Sequence, residues 1–265
     1  MRSTGAQHHE SGGNPQMSFA VTMVIGDRED QQDSFGYHVE EGEAILTVCD
    51  GMGGHEGGRR ASQTAVATIL NLYEETYPCP EIPARLREIT VQADAAVSAL
   101  TGPDGGPLRG GSTMLTLVLR GREMYWNSVG DSRIYLFRNG ECVQVTQDQN
   151  YETVLREQLR AGEITQEDFE REIPRGGALV NYLGIGGLGL IDYNEMPLLL
   201  QPDDRILMAT DGLYRLVTDA EIRTVLDNFR NIEDALAILE QKARRGAAAR
   251  LVSRDNMTTA LIRIL

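Results

Sequence analysis

The sequence predicts an α+β protein built in layers, and three observations carry that reading. The run 44–49 is apolar except for Thr47, which suits a strand buried on both faces. Asn139-Gly140 lies between two alternating runs and signals a tight hairpin, so that part of the chain is antiparallel. Strands and helices come in blocks with no strict strand–helix alternation, which favours segregated layers over a parallel doubly wound sheet.

Each element follows from its own pattern. Phe19, Val21, Met23 and Ile25 alternate and predict a strand that ends at Gly26-Asp27; residues 34–39 and 44–49 predict the next two. Ala61, Ala65, Ile69 and Leu72 form the buried stripe of a helix running from Gly58 to about Tyr77. Prolines 78, 80 and 83 break the chain, and Leu86, Ile89, Ala93, Val97 and Leu100 stripe a second helix. After a glycine-rich loop at 101–111, strands are expected at 113–119, 124–129, 134–137 and 142–145. Residues 151–173 are polar and helix-like in two pieces. Strands at 198–200, 206–209 and 258–264 and helices at 220–225 and 232–244 complete the reading.

Composition narrows the function. Of 265 residues, 41% are hydrophobic and 24% charged, as in soluble globular proteins. No apolar run approaches the roughly 20 residues that span a bilayer, and no signal peptide opens the chain, so a cytoplasmic protein without a membrane partner is expected. A net charge of −14 without basic patches argues against nucleic acid. Cys49, Cys79 and Cys142 lack metal-like spacing. Residues 1–17, rich in Gly, Ser, His and Gln, are expected to be a disordered lead.

The chemistry concentrates at carboxylates. Asp50 ends the apolar run 44–49 and precedes the cluster Gly51-Met-Gly-Gly-His-Glu-Gly-Gly58, whose glycines let backbone groups approach a ligand. Asp211 and Asp255 also sit at the end of an apolar strand or in the turn beside one, each followed by Gly or Asn. If such carboxylates converge, they bind a hard cation through oxygen.

Taken in order, Arg28 to Asp33, Asp50-Gly-Met-Gly-Gly-His55, Gly111-Ser-Thr, Val129-Gly-Asp-Ser-Arg, Thr146-Gln-Asp148, Thr210-Asp-Gly-Leu213 and Arg254-Asp-Asn-Met257 resemble the signature segments of the metal-dependent type-2C (PPM) serine/threonine protein phosphatases, in their bacterial form. The resemblance runs from about residue 18 to the C-terminus. It implies a single domain over 18–265, a four-layer αββα sandwich in which two antiparallel sheets pack face to face between helices, with a flap at about 150–177. It also implies hydrolysis of phosphoserine and phosphothreonine in proteins by a hydroxide bridging two Mg²⁺ or Mn²⁺ ions, with no covalent phosphoenzyme. Asp50 would touch both ions, the Gly51 carbonyl one of them, and Asp211 with Asp255 the other. Asp148 would serve a third, weaker ion. Arg28 would grip the phosphate with its planar fork, and Asp33 would hold metal-bound waters. The partners implied are phosphorylated proteins, a serine/threonine kinase or its targets.

Three positions depart from the family pattern. Gln32 stands where Glu is usual, Arg215 where an acid would complete the third ion's ligands, and Met52 where some relatives carry a proton-donating histidine. Gln32 and Arg215 motivate the alternative of a non-catalytic pseudophosphatase or scaffold on the same fold. Ser112, Thr113 and Asp131 are assigned to the framework, Asp131 by pairing with Arg133 or capping a turn, and His55 to a helix start. Gly184-Ile-Gly-Gly-Leu-Gly189 spells a dinucleotide fingerprint, but no helix is expected to follow it, so nucleotide binding is excluded.

Overall fold

The computed structural model describes residues 7–54 and 56–265. Its elements run β1 (Gln7–Asn14), β2 (Met17–Val24), β3 (Asp33–Val39), β4 (Glu43–Met52), α1 (Glu56–Glu74), α2 (Ile82–Ser98), β5 (Gly111–Ser112), β6 (Met114–Arg120) and β7 (Glu123–Val129). Then come β8 (Arg133–Arg138), β9 (Glu141–Gln144), α3 (Tyr151–Ala161), α4 (Gln166–Glu172), a 3-10 turn (Ile173–Arg175), β10 (Asp192–Tyr193) and β11 (Leu198–Leu199). The chain closes with β12 (Arg205–Ala209), α5 (Asp211–Tyr214), α6 (Asp219–Asn228), α7 (Ile232–Arg250) and β13 (Met257–Ile264).

Among the described residues the strands form two antiparallel sheets. One runs β1-β2-β13-β12-β8-β9, the other β10-β7-β6-β4-β3, with β11 paired to β7 and β5 to β4. The period of two in β4 explains why they stack. Leu46 and Val48 point into the apolar seam between the sheets with Phe19, Leu115, Met208 and Ile262, while Ile45 and Cys49 point the other way, onto α1 and α2. A third cluster packs α6 and α7 on the outer face of the first sheet through Leu207, Leu226, Leu236 and Leu239. Three apolar seams make four layers, the α+β sandwich expected.

Local chemistry sets the ends of elements. Asn139 and Gly140 both have positive φ, 52° and 78°, as a two-residue type I′ hairpin between β8 and β9 requires. Thr165 with Asp168 and Thr218 with Glu221 close capping boxes at α4 and α6. Asn150 caps α3, which ends at Gly162 in the left-handed conformation.

The expectation of a disordered lead is corrected for residues 7–14, while residues 1–6 lie outside the described residues. β1 pairs with β2 from Gln7↔Val24 to Asn14↔Met17, and the Asn14 side chain accepts from the Gln16 and Met17 amides to close the turn. A polar edge strand is held by backbone bonds and needs no apolar period. Gly12 permits it, since a Cβ there would lie 2.8 Å from the Phe19 ring.

Candidate active site

The sandwich places Asp33 and Asp50 in one sheet against Asp211 and Asp255 in the other. Asp33 and Asp50 are direct partners in the β3–β4 register. Asp211 opens α5 immediately after β12, and Asp255 lies two residues before β13. Asp50, Asp211 and Asp255, with Arg28, line one cavity of roughly 900 Å³.

Each carboxylate is held by its neighbours. Thr113 accepts the Asp50 amide at 3.0 Å through its hydroxyl and donates its own amide to the Asp50 carbonyl at 2.8 Å; Ser112 also donates to that carbonyl. The framework role expected of Ser112 and Thr113 is therefore to fix the backbone of Asp50. Asp33 ties the two sheets together: one oxygen accepts from Thr210 at 3.0 Å and Thr258 at 2.7 Å, while the other is buried without a partner. Gly51 donates its amide to the Gln32 carbonyl. Asn256, which the sequence reading quoted but gave no role, is the clamp of the loop before β3. It accepts from the Gln32 amide and donates to the Ile25 and Asp30 carbonyls. A buried Asn beside a candidate ligand is the signal that marks it.

Electrostatics distinguish this cluster from an ordinary polar surface. Burial, followed by the charges of neighbouring acids, drives the Asp50 carboxyl well above its usual range. Asp33 is pushed up to about 7, by burial first, against the opposing bonds from Thr258 and Thr210. Asp211 rises to about 6, again mainly by burial. Two arginines answer the crowding: Arg28 meets Asp255 at 2.5 Å, and Arg215 meets Asp211 at 3.0 Å.

Mutually repelling carboxylates with an orphaned oxygen at Asp33 are the donor chemistry that divalent cations satisfy. Among the described residues no three His, Cys, Asp or Glu side chains form a ready-made cage. The acids instead face one another across the cavity with guanidinium groups between them, so the residues fit hard cations that keep part of their shell as water.

Two expectations need revision. Asp148 does not line this cavity; Arg133 holds it through three contacts of 2.7–3.2 Å, and Gln144 adds another. Asp131, expected to pair with Arg133 or cap a turn, does not pair with Arg133 but lines the cavity 3.7 Å from Arg215. Met52 also lines the cavity, whereas His55 lies outside the described residues. The glycine run at 184–189 forms a loop whose Gly184, Gly186 and Gly187 amides donate to Asp94, so an internal carboxylate fills it.

Together, fold and site define a layered α+β protein with acids from both sheets opposed across a cavity, as in cation-dependent hydrolases. The protein phosphatase 2C family model matches residues 22–262, and the chain belongs to that family. It is a serine/threonine protein phosphatase of the PPM type. It is 30% identical over 240 residues to the serine/threonine phosphatase stp of Listeria monocytogenes, covering 89% of this chain and 90% of that protein. The structure of the S. agalactiae serine/threonine phosphatase superposes with a TM-score of 0.80 at 25% identity, covering 94% of this chain and all of that one. The catalytic domain of the phosphatase PstP, solved with two manganese ions, shares the fold with a TM-score of 0.73 at 24% identity, covering 94% of this chain and 99% of that one. No helix among the described residues is long and apolar enough to cross a membrane.

Proposed function

We propose that this chain removes phosphate from phosphoserine and phosphothreonine in cytoplasmic proteins, reversing a serine/threonine kinase, with two Mg²⁺ or Mn²⁺ ions held by Asp50, the Gly51 carbonyl, Asp211 and Asp255. The observation that carries this reading is the opposition of Asp50 to Asp211 and Asp255 across one cavity, with Asp33 buried beside Asp50 in the strand register and one of its oxygens unpartnered. Bound there, the cations supply Lewis acidity and a water acidified enough to act as nucleophile. Asp33 keeps the two strand pairs in register around them through Thr210 and Thr258. Residues 18–265 act as one domain, and 150–177 as a flap whose last residue, Gly177, lines the cavity with the adjoining Ala178 and Leu179. At Gln32 the backbone carbonyl accepts from the Gly51 amide and the Ser62 hydroxyl, contacts that a glutamate at this position would make equally.

Arg28 pairs with Asp255 and is more than half exposed, so it can turn from the carboxylate to a phosphate once a cation takes Asp255. Arg28→Ala is expected to lower kcat/KM for a phosphothreonine peptide by about ten- to a hundredfold, the worth of one charge-assisted bond pair, with KM carrying most of the change. Steady-state kinetics at saturating Mn²⁺ check this, and unchanged KM would remove Arg28 from phosphate binding.

The raised carboxyls set a pH dependence. In chelator, Asp33 and Asp211 have folded pKa values of about 7 and about 6, above the 3.8 of the unfolded chain. The stability they contribute is complete below that value and lost as pH rises through 6 and 7. Cations bind the ionised form and reverse the loss. The Mn²⁺-induced gain in Tm is therefore expected to be larger at pH 8 than at pH 5; an equal gain at both would contradict the assignment.

A further inference from the structure

Arg215 is the fourth residue after Asp211 and sits at the C-terminal end of α5. Its Nη2 lies 3.0 Å from an Asp211 oxygen and 3.7 Å from an Asp131 oxygen. Asp131 is 3% exposed, in the tight turn between β7 and β8, and also accepts a 3.4 Å bond from the Asn150 side chain. The backbone around this ion pair is fixed, while the Arg215 side chain itself is half exposed. Arg250 donates to the Arg215 carbonyl, and Tyr214 donates to the Asp131 carbonyl at 2.9 Å. Gly177, at the end of the 150–177 segment, packs so closely that a Cβ there would lie 3.0 Å from Nη2.

Two largely buried carboxylates that share one neighbour need positive charge between them. A mobile divalent ion or a tethered cation can supply it, but both cannot occupy the same few ångströms, because like charges at that separation repel and the guanidinium already stands between the two carboxylates. We infer that Arg215 is a built-in cation. It takes the place of a divalent ion between Asp131 and Asp211, confines metal to the Asp50, Asp211 and Asp255 side of the cavity, and holds that boundary against the flap through Gly177. Arg215 is thus a positioning residue that sets how many ions the protein takes up. This rests on the two-ion reading proposed above.

The test is Mn²⁺ uptake, measured by equilibrium dialysis with metal analysis and by the loss of the free-Mn²⁺ paramagnetic resonance signal. Wild type is expected to take up two ions per chain. Arg215→Ala is expected to take up one more, Arg215→Lys to remain at the wild-type number, and Arg215→Ala combined with Asp131→Asn to lose the additional ion. Arg215→Gln, which keeps most of the side-chain bulk, gives the same reading should the alanine variant fail to fold. Equal uptake by wild type and by both neutral variants overturns the inference while leaving the two-ion site standing. An additional ion in Arg215→Lys, or one that persists without Asp131, also overturns it. No uptake by wild type refutes the metal site itself, a separate failure.

Discussion

Replacing Asp50 by Asn is expected to lower turnover of a phosphothreonine peptide by about a thousandfold or more, since losing a shared cation ligand removes several kcal/mol of transition-state stabilisation. The same change is expected to raise Tm in chelator. Asp50 is half-buried at the cavity wall and feels the charges of Asp33, Asp211, Asp131 and Asp255, so a neutral amide of the same shape relieves both desolvation and repulsion. Opposite signs for activity and metal-free stability separate a ligand from a structural residue. Kinetics in saturating Mn²⁺ and thermal melts in EDTA measure the two. A variant that loses activity and stability together would show that Asp50 supports the fold more than the metal.

Gly51→Ala is expected to damage both properties. A Cβ at Gly51 would stand 2.1 Å from the Gly58 carbonyl oxygen and 2.5 Å from that of Gln32, and both are backbone atoms that cannot swing aside. One belongs to the first turns of α1 and the other to the loop before Asp33, so relief must move α1 or the β3–β4 pair carrying Asp33 and Asp50. Overpacking of this kind costs about 1–3 kcal/mol or more, a fall in Tm of at least about 2–4 °C per kcal/mol in a chain of this size. Gly54→Ala is the control, because its Cβ meets nothing within 4 Å. Equal melting of the two variants would mean that the Gly51 crowding relaxes without consequence.

The parts of the fold written in side-chain periodicity were legible. Alternation over Phe19, Val21 and Met23 became β2, and the stripe through Ala61, Ala65 and Ile69 became the buried face of α1. The Asn139-Gly140 signal worked because its backbone demand is local. What periodicity could not show was structure held by backbone pairing alone: β1 is polar, and β5 and β10 have two residues each.

Asp50, Asp211 and Asp255, which share the cavity, could be singled out because strand ends and Asp-Gly or Asp-Asn pairs mark them. Partner choice was not legible. Arg133 is two residues from Asp131 in sequence, yet it reaches Asp148 beyond the following hairpin, and the acid it leaves behind faces Arg215 instead. Such choices depend on which way β8 presents its side chains, and that is settled only when β8 pairs with β9 and β12.

Turnover of a phosphothreonine peptide by wild type and by Asp211→Asn, each with saturating Mn²⁺ and each in EDTA, tests the metal site most directly. Wild type is expected to be active only with Mn²⁺, and Asp211→Asn to stay near background in both. Wild-type turnover in EDTA, or near-wild-type activity of Asp211→Asn in Mn²⁺, would contradict the assignment of these carboxylates to a catalytic metal site.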